Sequence, residues 1–134
     1  MEIREIRVLV VDDMKTMRMT VKNNLKQIGF VDIIEAANGA LGYDALKSQL
    51  ALEKPVHLIL SDWNMPEMLG IDFLKKVRGS VEFKDLPFLM ITAEGEAAQV
   101  KEALLAGVTN YLMKPFSPDK FQEKLATIIK KHLQ

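Results

Sequence analysis

The chain contains no cysteine. Disulfides, thiolate metal centres and thiol redox chemistry are thereby excluded, and nothing ties the chain to an oxidising compartment. Charge of one sign is also lacking, since 18 Lys plus Arg balance 18 Asp plus Glu. A nucleic-acid binder would show a basic excess, so no nucleic-acid partner is expected. Apolar runs such as Val8–Val11 fall far short of the ~20 residues of a membrane span. The start, Met1-Glu2-Ile3-Arg4-Glu5, lacks the apolar stretch of a signal peptide. No repeat, low-complexity tract or Pro/Gly/Ser-rich linker divides the chain. One soluble domain over residues 1–134 is expected, suited to the cytoplasm and without an attached output domain. Hydrophobic residues at 49% and charged residues at 27% are ordinary for a domain that buries a core without staples.

What is present is a recurring unit, a short apolar run followed by a longer helical pattern. Arg7–Val11, Asp32–Ala36, His57–Ser61, Pro87–Ile91 and Asn110–Met113 read as strands. Between them, Met14, Met17, Val21, Leu25 and Ile28 step by three or four, as a helical stripe does, and Gly29 stands where a C′ glycine would stop it. Asn38-Gly39 reads as a turn before a helix over 41–52, where Gly42 costs about 1 kcal/mol relative to Ala. Ile71, Leu74 and Val77 mark the third helix. Ala97, Val100 and Leu104 mark the fourth, with Gly107 as its stop. Ser117-Pro118 pairs an N-cap with a first-turn proline ahead of Phe121, Leu125, Ile128 and Ile129. Strands one, three and four are almost wholly apolar, as in a parallel sheet buried on both faces. Right-handed crossovers then give a doubly wound α/β fold with helices on both faces. For five strands the flavodoxin-like order 2-1-3-4-5 is the natural choice.

Four of these strands end in a polar residue directly after the apolar run: Asp12-Asp13, Asp62, Thr92 and, near the last, Lys114. In a parallel sheet all four ends share one edge, and strands 1 and 3 flank the crevice where such sheets bind ligands. Clustered carboxylates repel unless protonated or bound to a cation, and a hard divalent ion with oxygen ligands such as Mg²⁺ resolves the repulsion. A lysine ammonium suits a phosphate oxygen, and an aspartate can act as a phosphoryl nucleophile. The chain has no G-x-x-x-x-G-K-[ST] loop, so a phosphoryl group would come from another molecule.

Val10-Val11-Asp12-Asp13, Thr16-Met17-Arg18, Asp62-Trp63-Asn64-Met65-Pro66, Ile91-Thr92-Ala93-Glu94 and Lys114-Pro115-Phe116 occur in order over essentially the whole chain. This set resembles the receiver domain of two-component response regulators, especially the single-domain chemotaxis (CheY-like) type. The resemblance implies Asp62 as phosphoacceptor, with Asp13, Asp62 and the Asn64 carbonyl as direct Mg²⁺ ligands and Asp12 acting through a metal-bound water. It implies that Thr92 and Lys114 bind the phosphoryl group and that the Lys114-Pro115 bond is cis. Tyr111 matches an aromatic switch that turns inward on activation, and Asn64 and Glu94 match positions that tune dephosphorylation. The implied partners are a histidine kinase as donor and a flagellar-motor switch protein as target, with a phosphatase possible. The implied protein is a monomeric switch that assists its own phosphorylation and dephosphorylation, not an enzyme. Gly42 departs from the family's better helix formers, and Glu96-Ala97 stands where some flagellar-motor regulators carry lysines, which leaves the output partner open.

Simpler readings stand beside these. Asp12-Asp13 and Thr92 could cap helices, and Tyr111 could be a packing residue. The methionines read as core fill. His57 and His132 have no metal-type partners in sequence and read as structural or exposed. Lys15, Arg18, Lys22 and Lys26 share one face of the first helix, either a solvated face or a docking surface for an acidic partner. A small Mg²⁺-dependent phosphatase would use a similar carboxylate edge. It would need an acid two residues after the nucleophile, where this chain has Asn64, and a cap over the substrate.

Overall fold

The five apolar runs form one parallel sheet, and the helical patterns between them pack on its two faces. The structure, a computed structural model, describes all residues 1–134. The elements are β1 (Arg7–Val11), α1 (Lys15–Ile28), β2 (Asp32–Ala36), α2 (Gly39–Ala51), β3 (Leu58–Ser61), α3 (Gly70–Arg78), β4 (Phe88–Thr92), α4 (Ala97–Leu105), β5 (Asn110–Met113) and α5 (Pro118–His132), after one 3-10 turn at Ile3–Glu5. The strand order is β2-β1-β3-β4-β5, the order expected of the sequence. In register, Val11 of β1 lies beside Ser61 of β3, and Thr92 of β4 beside Met113 of β5.

Successive side chains of a strand point to opposite faces, and the core divides accordingly. Leu9, Val11, Ile59, Phe88 and Met90 face α2, α3 and α4 with Leu46, Phe73, Leu74, Val77 and Ala103. Val8, Val10, Leu58, Leu60, Leu89 and Ile91 face α1 and α5 with Val21, Leu25, Phe121, Leu125, Ile128 and Ile129. Both faces of the central strands are therefore covered, which is why these strands are apolar throughout. Gly42, a poor helix residue by propensity, has a packing reason. A Cβ there would stand 3.1 Å from both the Phe73 ring and Val11, so the glycine lets α2 close over Phe73. Gly29 ends α1 at φ 123°, its N–H bonded to the Leu25 and Lys26 carbonyls.

Several expectations are corrected. Met14 precedes α1 and is exposed, so the buried stripe starts with the half-buried Met17 and runs through Val21 and Leu25. The helix read over 41–52 starts earlier, because the Asn38 side chain caps it by accepting the Leu41 N–H at 2.9 Å. β3 begins at Leu58, after His57. On α4 the stripe Ala97, Val100, Leu104 does not face the core. Ala103 is the fully buried residue, while Leu104 and Leu105 are 61% and 80% exposed. The core contact of this helix is made by the small Ala103, while the larger Leu104 and Leu105 point away from it.

The N-terminal edge of the sheet is closed by two polar side chains. His57 Nδ1 accepts the Arg7 N–H at 2.8 Å, and burial beside Arg7 holds its pKa below the ordinary value. Arg78, at the end of α3, donates to the carbonyls of Gly107, Leu86 and Lys84 at 2.9, 2.7 and 3.1 Å and reaches the Thr109 hydroxyl at 3.4 Å. It thereby ties the segments that precede β4 and β5 to α3.

Candidate functional site

At the opposite edge the residues expected to share a site come together. A carboxylate oxygen from each of Asp12, Asp13 and Asp62 lies within 4.8 Å of the others. Lys114 Nζ stands 2.9 Å from Asp12 Oδ2 and 3.3 Å from Asp62 Oδ2, so one ammonium bridges two of the three acids. Both partners in the second pair are well enclosed, with Lys114 14% and Asp62 11% exposed at the side chain. The two carboxylates come from β1 and β3, which are sheet neighbours, and the lysine follows β5. The Lys114-Pro115 bond is cis, as the resemblance implied.

Asp62 occupies a costly position. Burial raises its pKa above the ordinary 3.8, and the nearby Asp12 adds to the rise. The Lys114 charge and the Trp63 N–H, 2.7 Å from Oδ1, act in the opposite direction. The turn that follows is held by Gly70, whose N–H bonds the Trp63 carbonyl at 2.7 Å. A Cβ on Gly70 would lie 1.9 Å from the Asp62 carbonyl oxygen, so no other residue fits that path. The loop between them buries Trp63 and Met65 and leaves Asn64 exposed. Glu67 in this loop adopts φ 69°, a left-handed conformation that disfavours a residue with a Cβ.

Asn64 and Glu94, 30 residues apart, are brought into contact, the Asn64 amide donating to the Glu94 carboxylate. The Tyr111 hydroxyl donates to the Glu94 carbonyl. Burial, with Glu94 and Asp62 nearby, raises the Tyr111 pKa and keeps that hydroxyl a donor. Thr92 is buried at the end of β4, and its Oγ1 accepts the Glu94 N–H at 3.1 Å. Glu94 thus joins the loop after Asp62, the end of β4 and the ring on β5. The capping alternative for the first acids does not hold: the N-cap of α1 is Met14 and no side chain caps the helix, while Asp12 Oδ1 accepts the Met14 N–H at 2.9 Å in the turn before it.

Over residues 8–126 the chain matches the model of the response regulator receiver domain. The chain belongs to this family. The receiver domain is 44% identical over 124 residues to the chemotaxis protein CheY1 of Helicobacter pylori, spanning 92% of this chain and 97% of that one. It is 43% identical to the chemotaxis protein CheY homolog of Campylobacter jejuni, spanning 92% of each. Among solved structures, Vibrio cholerae CheY4 matches with a TM-score of 0.80 and 32% identity, over 92% of this chain and 98% of that one.

The donor set of this receiver domain fits a hard divalent cation. The three ligand atoms brought together are carboxylate oxygens, and the charge they concentrate is only partly balanced by Lys114. No helix is long and apolar enough to cross a membrane.

The pairing of Arg18 and Lys22 with Glu35 and the steric need for Gly70 are not legible in the sequence. Arg18 and Lys22 were taken with Lys15 and Lys26 as one basic face, but Glu35 of β2 accepts from both, at 3.1 and 2.7 Å. Only Lys15 and Lys26 remain as exposed charge on that face. Gly70 was legible as loop punctuation alone. The alternation of charge between helix and strand that would reveal Glu35 is separated by 17 residues for Arg18.

Proposed function

We propose that the protein is a single-domain response regulator of a chemotaxis phosphorelay, a cytoplasmic monomer that takes a phosphoryl group on Asp62 and signals by changing shape. The observation that carries this reading is the contact of Lys114 with both Asp12 and Asp62 inside the three-acid cluster. Asp13, Asp62 and the Asn64 carbonyl would hold Mg²⁺ directly and Asp12 through water; when bound, the ion neutralises charge on the transferring phosphoryl group.

The chain's own residues do the rest. Asp62 Oδ attacks the donor's phosphorus as the bond to the donor's leaving group breaks, and a histidine kinase is the donor class. Lys114, already 3.3 Å from Asp62 Oδ2, exchanges a carboxylate partner for a phosphoryl oxygen. The Thr92 hydroxyl turns from accepting the Glu94 N–H to donating to the phosphoryl group. Tyr111 moves into the space Thr92 vacates, and the surface of α4, β5 and α5 is read by the target, a flagellar-motor switch protein. Asn64 and Glu94, paired over the mouth of the site, control the approach of water that reverses the step. The protein thus assists its own phosphorylation and dephosphorylation, and a dedicated phosphatase can act on the same contact.

Trp63, buried directly after Asp62, reports both events. Its fluorescence is expected to change on Mg²⁺ addition and again on addition of a small phosphoryl donor. The second change should be absent in Asp62→Asn. A donor response that survives in Asp62→Asn would refute the assignment.

A further inference from the structure

Every polar atom of Asp12 is engaged. Its N–H donates to the Ala36 carbonyl at 3.1 Å, Oδ1 accepts the Met14 N–H at 2.9 Å, and Oδ2 accepts Lys114 Nζ at 2.9 Å. The backbone carbonyl accepts Arg18 Nη1 at 2.6 Å. The first three partners are backbone or already belong to the pocket. Arg18 does not. Its side chain is 16% exposed, and Nε is fixed by Glu35 Oε1 at 3.1 Å, while Lys22 holds the second Glu35 oxygen at 2.7 Å. One guanidinium therefore spans the corner after β1, the first turns of α1 and the β2 strand. Two directed donors on a rigid plane make this bridge, which a lysine ammonium cannot reproduce.

The carbonyl that Arg18 grips belongs to the peptide joining Asp12 to Asp13. Asp13 is exposed, and no hydrogen bond holds its side chain. That peptide sets where the Asp13 backbone stands, and with it the position from which the carboxylate comes within 4.8 Å of those of Asp12 and Asp62. We infer that Arg18, oriented by Glu35, is a positioning residue for cation binding, aiming Asp13 at Asp62 without touching the ion. The inference rests on the proposal that Asp12, Asp13 and Asp62 bind Mg²⁺.

Charge alone predicts the opposite of positioning. Arg18 is a cation beside carboxylates that collect a cation, so its removal should tighten Mg²⁺ binding electrostatically. Loss of an orienting partner instead weakens metal affinity by roughly 10–100-fold. Arg18→Ala removes a part-buried ion pair and leaves the Asp12 carbonyl without that donor, so it should lose some stability while the two-sided core keeps it folded.

The test is Mg²⁺ affinity by calorimetry at fixed ionic strength, with urea unfolding of each variant alongside. Arg18→Ala is expected to bind roughly tenfold more weakly while still showing a cooperative unfolding transition, at a lower midpoint. In the metal-free protein its Met14 amide should exchange with solvent faster than in the wild type. Arg18→Lys should show the same weakening. Lys22→Met removes one charge from the same face without touching the Asp12 carbonyl, and should bind as the wild type does or more tightly. Affinity in Arg18→Ala equal to or above wild type overturns the inference, as does equal weakening in Lys22→Met. Should Arg18→Ala not fold, undiminished affinity in Arg18→Lys overturns it. A wild type that binds no Mg²⁺ refutes the cation site itself, a failure distinct from normal wild-type binding that Arg18→Ala leaves untouched.

Discussion

The two edges of the sheet carry opposite kinds of polar chemistry. At the N-terminal edge, Arg78 donates to three carbonyls and a hydroxyl, and neutral His57 accepts a backbone N–H. Each group there finds partners of complementary character. At the C-terminal edge, three carboxylates crowd together and one ammonium serves two of them. The first edge is arranged for the fold, and the second holds charge that only a bound ion or a proton fully balances. Strain kept at one end of a fold and satisfied contacts at the other mark where function has been placed.

Removal of a charged group should separate the edges by the sign of its effect, whereas a steric change should destabilise at either. The largest change is expected from Gly70→Ala, which forces a methyl onto the Asp62 carbonyl oxygen 1.9 Å away. Urea unfolding should show a loss of about 4 kcal/mol or more, because backbone has to move. This holds the C-terminal loop to a steric demand separate from its charge. Arg78→Met should cost about 2–3 kcal/mol by the same assay, since it strands several half-buried acceptors. In contrast, Asp62→Asn should stabilise the metal-free protein. Its raised pKa means that the folded state favours the protonated form, so stability falls as pH rises above 3.8 toward the folded pKa, and an uncharged amide avoids that loss. Mg²⁺ at a hundredfold excess over its Kd should then stabilise the wild type by about 2.7 kcal/mol and reverse the ranking. A destabilised Asp62→Asn in the absence of metal would erase the contrast between the edges.

The smallest effect concerns pH. His57 has a lowered pKa, so its contribution is present above 6.5 and is lost as pH falls below that value toward the folded pKa. Acid therefore weakens the N-terminal edge while it relieves Asp62 at the other. Denaturation midpoints between pH 7 and pH 5 should fall more in the wild type than in His57→Asn, whose amide oxygen can still accept the Arg7 N–H.

Much of this arrangement was readable in advance. The strands announce themselves as apolar runs, and the polar residue closing each run marks the functional edge before any coordinate is known. Asp12, Asp13, Asp62 and Lys114 needed only the strand order to converge. The side of α4 was not legible, because the residue that faces the core is a small alanine while its larger apolar neighbours Leu104 and Leu105 are exposed. Arg18 looked like one charge among four, since its partners are a backbone carbonyl and a glutamate on another strand. Arg78 gave no signal at all: its acceptors are mostly main-chain carbonyls, which every sequence has everywhere. Gly70 could be placed in a loop, but its necessity depends on how closely that loop returns to Asp62.

The central claim is that Asp62 is the phosphoacceptor. Intact mass followed by peptide mapping, after exposure to a small phosphoryl donor with Mg²⁺ and with chelator, tests it most directly. The account predicts one phosphoryl adduct, dependent on Mg²⁺, located on the peptide carrying Asp62 and absent from Asp62→Asn. An adduct on another residue, or none at all from folded protein with Mg²⁺ bound, would contradict it.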